Sequence, residues 1–145
     1  MNQTPPPAGW RPMRIEGLIG LIGPLLRPDP RPDPQAEPPR YALQTDARHA
    51  NPLGLVHGGV LTALLDQALA LIAWEAAERQ PTVTVQMDTR FLGAARPGDL
   101  LIARPRIRQL TRSLIFLDGE ITVADRPVAD ATAVMKIQRR KGTPG

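Results

Sequence analysis

Asn51-Pro-Leu-Gly-Leu-Val-His57-Gly58-Gly59 runs directly into Val60–Arg79, VLTALLDQALALIAWEAAER. The second segment is rich in Ala and Leu and holds neither Gly nor Pro, so it predicts a helix that starts right after the Gly pair. Its apolar residues cover nearly the whole circumference rather than one stripe, the pattern of a buried helix. After Pro81 the period changes from 3.6 to 2: Val83, Val85, Met87, Thr89 and Phe91 alternate with Thr82, Thr84, Gln86, Asp88 and Arg90. A turn at Arg96-Pro97-Gly98-Asp99 leads to a second strand, about Leu100 to Gln109. Ile115, Leu117, Gly119, Ile121 and Val123 line one face of a third, and Asp125-Arg126-Pro127 turns the chain into a fourth, about Val128 to Gln138. Four strands joined by short turns predict an antiparallel meander, with the one all-round apolar helix lying across it. The fold class is α+β.

Upstream, Arg40 to Asp46 reads as a short strand. Residues 1–39 hold eleven of the seventeen prolines and four glycines, so the chain divides into a Pro-rich lead-in and a domain over residues 40–140. Within the lead-in, Ile15, Leu18, Ile19, Ile22, Leu25 and Leu26 recur at helical spacing. Arg14 to Leu26 is thus a candidate short amphipathic helix covering an edge of the core, although Gly17, Gly20 and Gly23 weaken it and Pro24 should end it. Pro28 to Arg40 should be extended, as a linker or surface loop.

Composition narrows the function. The 145 residues suit one core, and the absence of Cys excludes disulfides, thiolate metal sites and a Cys nucleophile. Two His leave little for a His-based metal site, and no metal is expected. Residues 90–145 carry eleven cationic and five anionic side chains, and sixteen of the eighteen cations are Arg. Yet 3% aromatics and no recognition motif argue against nucleic acid. MNQTPPPAGW does not read as a signal peptide, and the longest unbroken apolar run, Ala68 to Trp74, is too short for a bilayer. The expectation is a soluble, cytoplasmic protein without a membrane partner.

Asp66 interrupts the apolar helix between Leu65 and Leu69. A buried carboxylate without a partner is costly and belongs where a base or nucleophile is needed; the plainer alternatives are a bond to Thr62 or exposure at a subunit boundary. Gly58 and Gly59 stand at the helix N-terminus, where free N–H groups and the positive end of the dipole converge, and where an oxyanion would be held. An ordinary Gly-containing helix start would look the same. His57 is placed to donate a hydrogen bond or to brace the loop, and Asn51 offers a donor and an acceptor or simply a turn.

Gly58 and Asp66 are eight helical residues apart, roughly 12 Å at 1.5 Å per residue. One carbonyl cannot meet both within one chain, so a catalytic reading requires a homodimer with composite sites.

N-x5-HGG, an Asp eight residues after the first of those glycines, then a strand, F-L-x3-R-x-G-D and three more strands resemble the hotdog-fold acyl-CoA thioesterases over about Tyr41 to Gln138. The nearest likeness is to the phenylacetic-acid-degradation type. The resemblance implies a helix wrapped by an antiparallel sheet of five to six strands, in homodimers often paired into tetramers. It implies that Asp66 is the nucleophile or general base and that the Gly58 N–H polarises the thioester carbonyl. His57 and Asn51 would support that loop, and Thr84 would help place the attacking water. Asn51, His57 and Gly58 would face Asp66 and Thr84 of the other chain. Gly59 would border the substrate, and Arg104, Arg106, Arg108 and Arg112 would suit the phosphates of coenzyme A, although a solvated sheet face would carry the same charges.

The function so implied is hydrolysis of an acyl- or aryl-CoA thioester to a carboxylic acid and free coenzyme A. No separate cofactor is called for, coenzyme A being part of the substrate. The alternative is a non-catalytic acyl-CoA-binding protein of the same fold.

Overall fold

The computed structural model describes residues 5–138; residues 139–140 of the expected domain lie outside the described residues. Strand β1 (Trp10–Pro12), helix α1 (Leu18–Ile22) and strand β2 (Leu26–Pro28) come from the lead-in. They are followed by β3 (Tyr41–Gln44), a 3-10 turn at Ala47–His49, α2 (Gly58–Ala76), β4 (Thr82–Phe91), β5 (Leu100–Leu110), β6 (Leu114–Val123) and β7 (Arg126–Ile137). All strands join one antiparallel sheet in the order β1-β2-β3-β5-β6-β7-β4, and the sheet wraps α2. This is the hotdog fold, enlarged to seven strands because β1 and β2 extend it beyond β3.

Helix α2 begins two residues earlier than expected because His57 caps it and both glycines lie inside it. It ends at Ala76, and the chain turns through Glu78 and Arg79 at positive φ of 55° and 64°. Leu61, Leu64, Leu65, Ala68, Leu69, Ile72 and Ala73 are buried against the inner face of the sheet. The opposite face, with Val60, Ala63, Leu71 and Trp74, is only half-buried or exposed in a single chain. The helix that reads as buried all round is therefore covered on one side by its own sheet and apolar on the other. By length and composition α2 would reach across a membrane, but its packing is that of a core helix.

Three further expectations are corrected. The strands form a meander only from β5 to β7: β4 leaves α2 at the far edge and pairs with β7, so the Leu92–Asp99 connection crosses to β5 beside β3. A period of two shows which residues are strands but not which strands are neighbours. Only Leu18–Ile22 of the Arg14–Leu26 stretch is helical, bounded by Gly17 and Gly23, while Leu26 starts β2. The lead-in is nonetheless packed, with Ile19, Leu25 and Leu26 each at most 5% exposed. The Asp29–Arg40 segment is largely exposed, as a surface loop should be, but it is not extended throughout, because the N–H groups of Ala36 and Glu37 turn back to Asp33 O.

The alternation in β4 is also interrupted. Thr84 pairs with Met135 and Gln86 with Val134, so Val85 is the extra residue of a β-bulge. Met135 and Ala133 are buried under the helix. Thr84 thereby faces α2 together with Met87, Thr89 and Phe91, whereas unbroken alternation would have turned it away.

Candidate active site

The bulge delivers Thr84 to Asp66. Thr84 Oγ1 donates to Asp66 Oδ1 at 2.6 Å. Asp66 is half-buried, neither sealed in the core nor without a partner, which corrects the premise that drew attention to it. The bond to Thr62 does not form: the Thr62 hydroxyl donates to Gly58 O at 3.0 Å, one turn back in the helix. Thr84 occupies one lone-pair site of the carboxylate and fixes its rotation, leaving the other oxygen to accept a proton.

At the other end of α2, the Asn51–Gly59 loop is built around its polar side chains. Asn51 Oδ1 accepts from the N–H groups of Leu53 (2.9 Å) and Leu55 (3.1 Å), closing a turn with Gly54 at φ 80°. Its acceptor is spent within the loop, and its amide N–H groups make no hydrogen bond among the described residues. His57 is the N-cap, its Nδ1 accepting from Gly59 N–H at 2.8 Å. The neutral imidazole then carries its proton on Nε2, and the ring is exposed.

The two glycines answer to two rings. A Cβ on Gly59 would lie 3.0 Å from His57 Nδ1, and one on Gly58 would lie 3.3 Å from the Phe91 ring. The Gly59 N–H is consumed by the cap, so Gly59 shapes the loop rather than offering a donor. The Gly58 N–H has no hydrogen-bond partner among the described residues. It is one of the orphan donors of a helix start, at the positive end of a 19-residue helix.

One chain thus presents two separate groups: Asp66 with Thr84, and Asn51, His57 and Gly58 at the start of α2, with Gly58 against the Phe91 ring. Asp66 lies eight residues further along the helix than Gly58, roughly 12 Å. Strand β4, which borders both, is the last strand of the sheet, and no strand pairs with its outer side among the described residues. Val83, Val85, Phe91 and Leu92 on and beside it are 42 to 59% exposed.

The arginines are not gathered with either half. Arg104 and Arg106 point from the outer face of the sheet, away from α2, and Arg108 is the extra residue of a second bulge. Arg104 donates to Thr122 Oγ1 at 2.7 Å, while Arg106 and Arg108 share Asp118 at 2.5 and 3.6 Å. Arg90, missed as a partner in the sequence, forms a two-pronged pair with Asp130 on the same face. Arg90, Arg106 and Arg108 are thus paired with carboxylates within the sheet, while Arg104 meets a neutral hydroxyl. Arg112, exposed in the β5–β6 turn, has no ion pair among the described residues.

The comparisons with known proteins agree with this architecture. The family described as the thioesterase superfamily matches residues 53–129. A candidate esterase of Pseudomonas aeruginosa is 34% identical over 134 residues, covering 90% of this chain and 96% of its own length. Acyl-coenzyme A thioesterase 13 of Mus musculus is 30% identical over 81 residues, 55% of this chain and 57% of its own. A hypothetical thioesterase protein of Streptococcus pneumoniae, solved with coenzyme A, superposes with a TM-score of 0.66 at 25% identity, over 72% of this chain and 83% of that one. Fold, helix-start loop and sequence relationship converge: the chain belongs to the thioesterase superfamily, a family of thioester hydrolases.

Proposed function

We propose that the protein hydrolyses acyl- or aryl-CoA thioesters as a homodimer, each site combining Asp66 and Thr84 of one protomer with Asn51, His57 and Gly58 of the other. The observation that carries this reading is the Thr84–Asp66 bond together with an unpartnered Gly58 N–H too far along the same helix to serve the same carbonyl. A second copy adding β4 to β4 along the open edge would extend the sheet and bring unlike halves together. Coenzyme A is supplied by the substrate, and the S. pneumoniae relative solved with coenzyme A supports that ligand class.

In the general-base route, Asp66 takes a proton from a water held by Thr84, and the oxygen attacks the thioester carbonyl. The developing oxyanion is met by the Gly58 N–H at the helix start. Collapse breaks the C–S bond, releasing the carboxylic acid, and the thiolate of coenzyme A takes up the proton. In the covalent route Asp66 itself attacks and water then opens the anhydride; both routes use the same groups. The likeness to the phenylacetic-acid-degradation type makes aryl thioesters the first substrates to try. Arg112, exposed and with neither an ion pair nor a side-chain hydrogen bond among the described residues, is the first of the arginines to substitute for a contact with the coenzyme A phosphates.

Thiol release with Ellman's reagent across aryl-, short-, medium- and long-chain acyl-CoAs tests the reading. Turnover that disappears in Asp66→Ala supports it. Binding of the same thioesters without turnover would instead identify a non-catalytic acyl-CoA-binding protein.

A further inference from the structure

His49 is the one fully buried ionisable side chain among the described residues, at 1% exposure, and the chemistry above does not use it. Both its ring nitrogens are engaged. Nδ1 accepts from the Asp46 N–H at 2.9 Å, closing a capping box in which the Asp46 carboxylate accepts in turn from Arg48 N–H. With Nδ1 accepting, Nε2 carries the proton, and it donates to Ile22 O at 2.5 Å. Ile22 is the last residue of α1, where carbonyls lack helical partners. Its neighbour Arg48 reaches the carbonyls of Leu21 and Gly23, both at 3.4 Å. Two consecutive side chains of the turn after β3 thus hold the end of the lead-in helix.

The backbone of His49 points the other way. Its carbonyl accepts from the His57 N–H at 2.7 Å, beside the Ala50–Val56 bridge. His57 is the cap that immediately precedes Gly58. A path of two hydrogen bonds through one residue therefore runs from α1 to the residue that aims the unpartnered Gly58 N–H. Ile19 of α1 packs in the same cluster as Val56, Leu61 and Leu64, so the lead-in and the loop also share apolar contacts.

We infer that His49 is a positioning residue that makes the N-terminal lead-in part of the catalytic apparatus, fixing the Gly58 N–H through His57. The inference deepens the thioesterase reading and rests on it. A donor that acts on the developing oxyanion stabilises the transition state more than bound substrate, so misplacing it lowers kcat and leaves KM nearly unchanged.

Two variants separate the ring's two bonds. The shorter amide of His49→Asn keeps an acceptor for Asp46 N–H and withdraws the donor from Ile22 O. The longer amide of His49→Gln brings an N–H to about the position of Nε2 and so keeps the donor for Ile22 O. The experiment measures kcat and KM by thiol release, together with hydrogen exchange of the 50–60 backbone amides, on the full chain. His49→Asn is expected to lose at least about tenfold in kcat, with KM within about twofold and faster exchange over 55–59. His49→Gln is expected to recover most of both. A folded His49→Asn with wild-type kcat and wild-type exchange would overturn the inference, as would a loss that appears wholly in KM. If the wild-type chain hydrolyses no thioester, the thioesterase reading fails on its own, and exchange alone then decides whether His49 positions the loop.

Discussion

Thr84 and Asp66, eighteen residues apart, meet at 2.6 Å only because Val85 bulges out of β4. The helix supplies the carboxylate and the irregular strand supplies its orientation. Asp66→Ala and Asp66→Asn should each lower kcat by about 10² to 10⁴, the range of a positioned acid–base group. Thr84→Val should cost roughly tenfold, while Thr84→Ser keeps the hydroxyl and most of the rate. Circular dichroism should show all four folded. A Thr84→Val enzyme with full activity would show that the hydroxyl is ornamental to the reaction.

Gly58 allows its N–H to be removed without removing the helix. It is the first helical position, where Pro is tolerated, and His57 at ψ 136° already has the conformation that precedes Pro. Gly58→Pro should lower kcat by about 10² to 10³, the loss measured when one oxyanion donor is removed. Gly58→Ala keeps the N–H and adds only a Cβ 3.3 Å from the Phe91 ring, so it should be the milder variant. Equal losses in both would assign the effect to crowding against Phe91 instead.

Much of this was legible from residue order alone. HGG before an Ala/Leu-rich helix located α2, and the period of two located β4 to β7 to within three residues at either end. Asp66 stood out because a carboxylate interrupts an apolar helix. What escaped was whatever depends on register or on distant pairing. A bulge adds one residue to one strand and leaves no mark in composition, so the face Thr84 occupies was hidden. The position of β4 at the sheet edge depends on which strands pair, and local periodicity is silent on that. His49 reads as a polar turn residue until the lead-in folds back over it.

The open edge of β4 and the apolar outer side of α2 predict a self-associated protein. Sedimentation equilibrium should give at least twice the 15.8 kDa of one chain. A monomer with full turnover would contradict the composite site, since Gly58 and Asp66 of one chain cannot reach one carbonyl.

Tyr41 offers a check on packing at β3. Burial, more than any neighbouring charge, raises its hydroxyl above the ordinary tyrosine value. Glu75 adds to this, and Arg31 opposes it. A folded pKa above the unfolded one means that the contribution is present below about pH 10 and is lost as pH rises past that point. Tyr41 is the only tyrosine in the chain, so absorbance of tyrosinate reads it alone. The midpoint should lie above that of the unfolded chain, and Tyr41→Phe should flatten the alkaline fall in stability. A midpoint equal to that of the unfolded chain would mean that the site is open to water.

The division of each site between two chains is tested most directly by mixing two dead variants. Asp66→Ala and Gly58→Pro, unfolded together and refolded as one pool, should form mixed dimers in which one site holds both intact halves. With random pairing, thiol release should recover to roughly a quarter of the wild-type rate, because half the dimers are mixed and each has one working site of two. A pool that stays as inactive as its parents, while sedimentation shows mixed dimers, would contradict the composite site and the mechanism built on it.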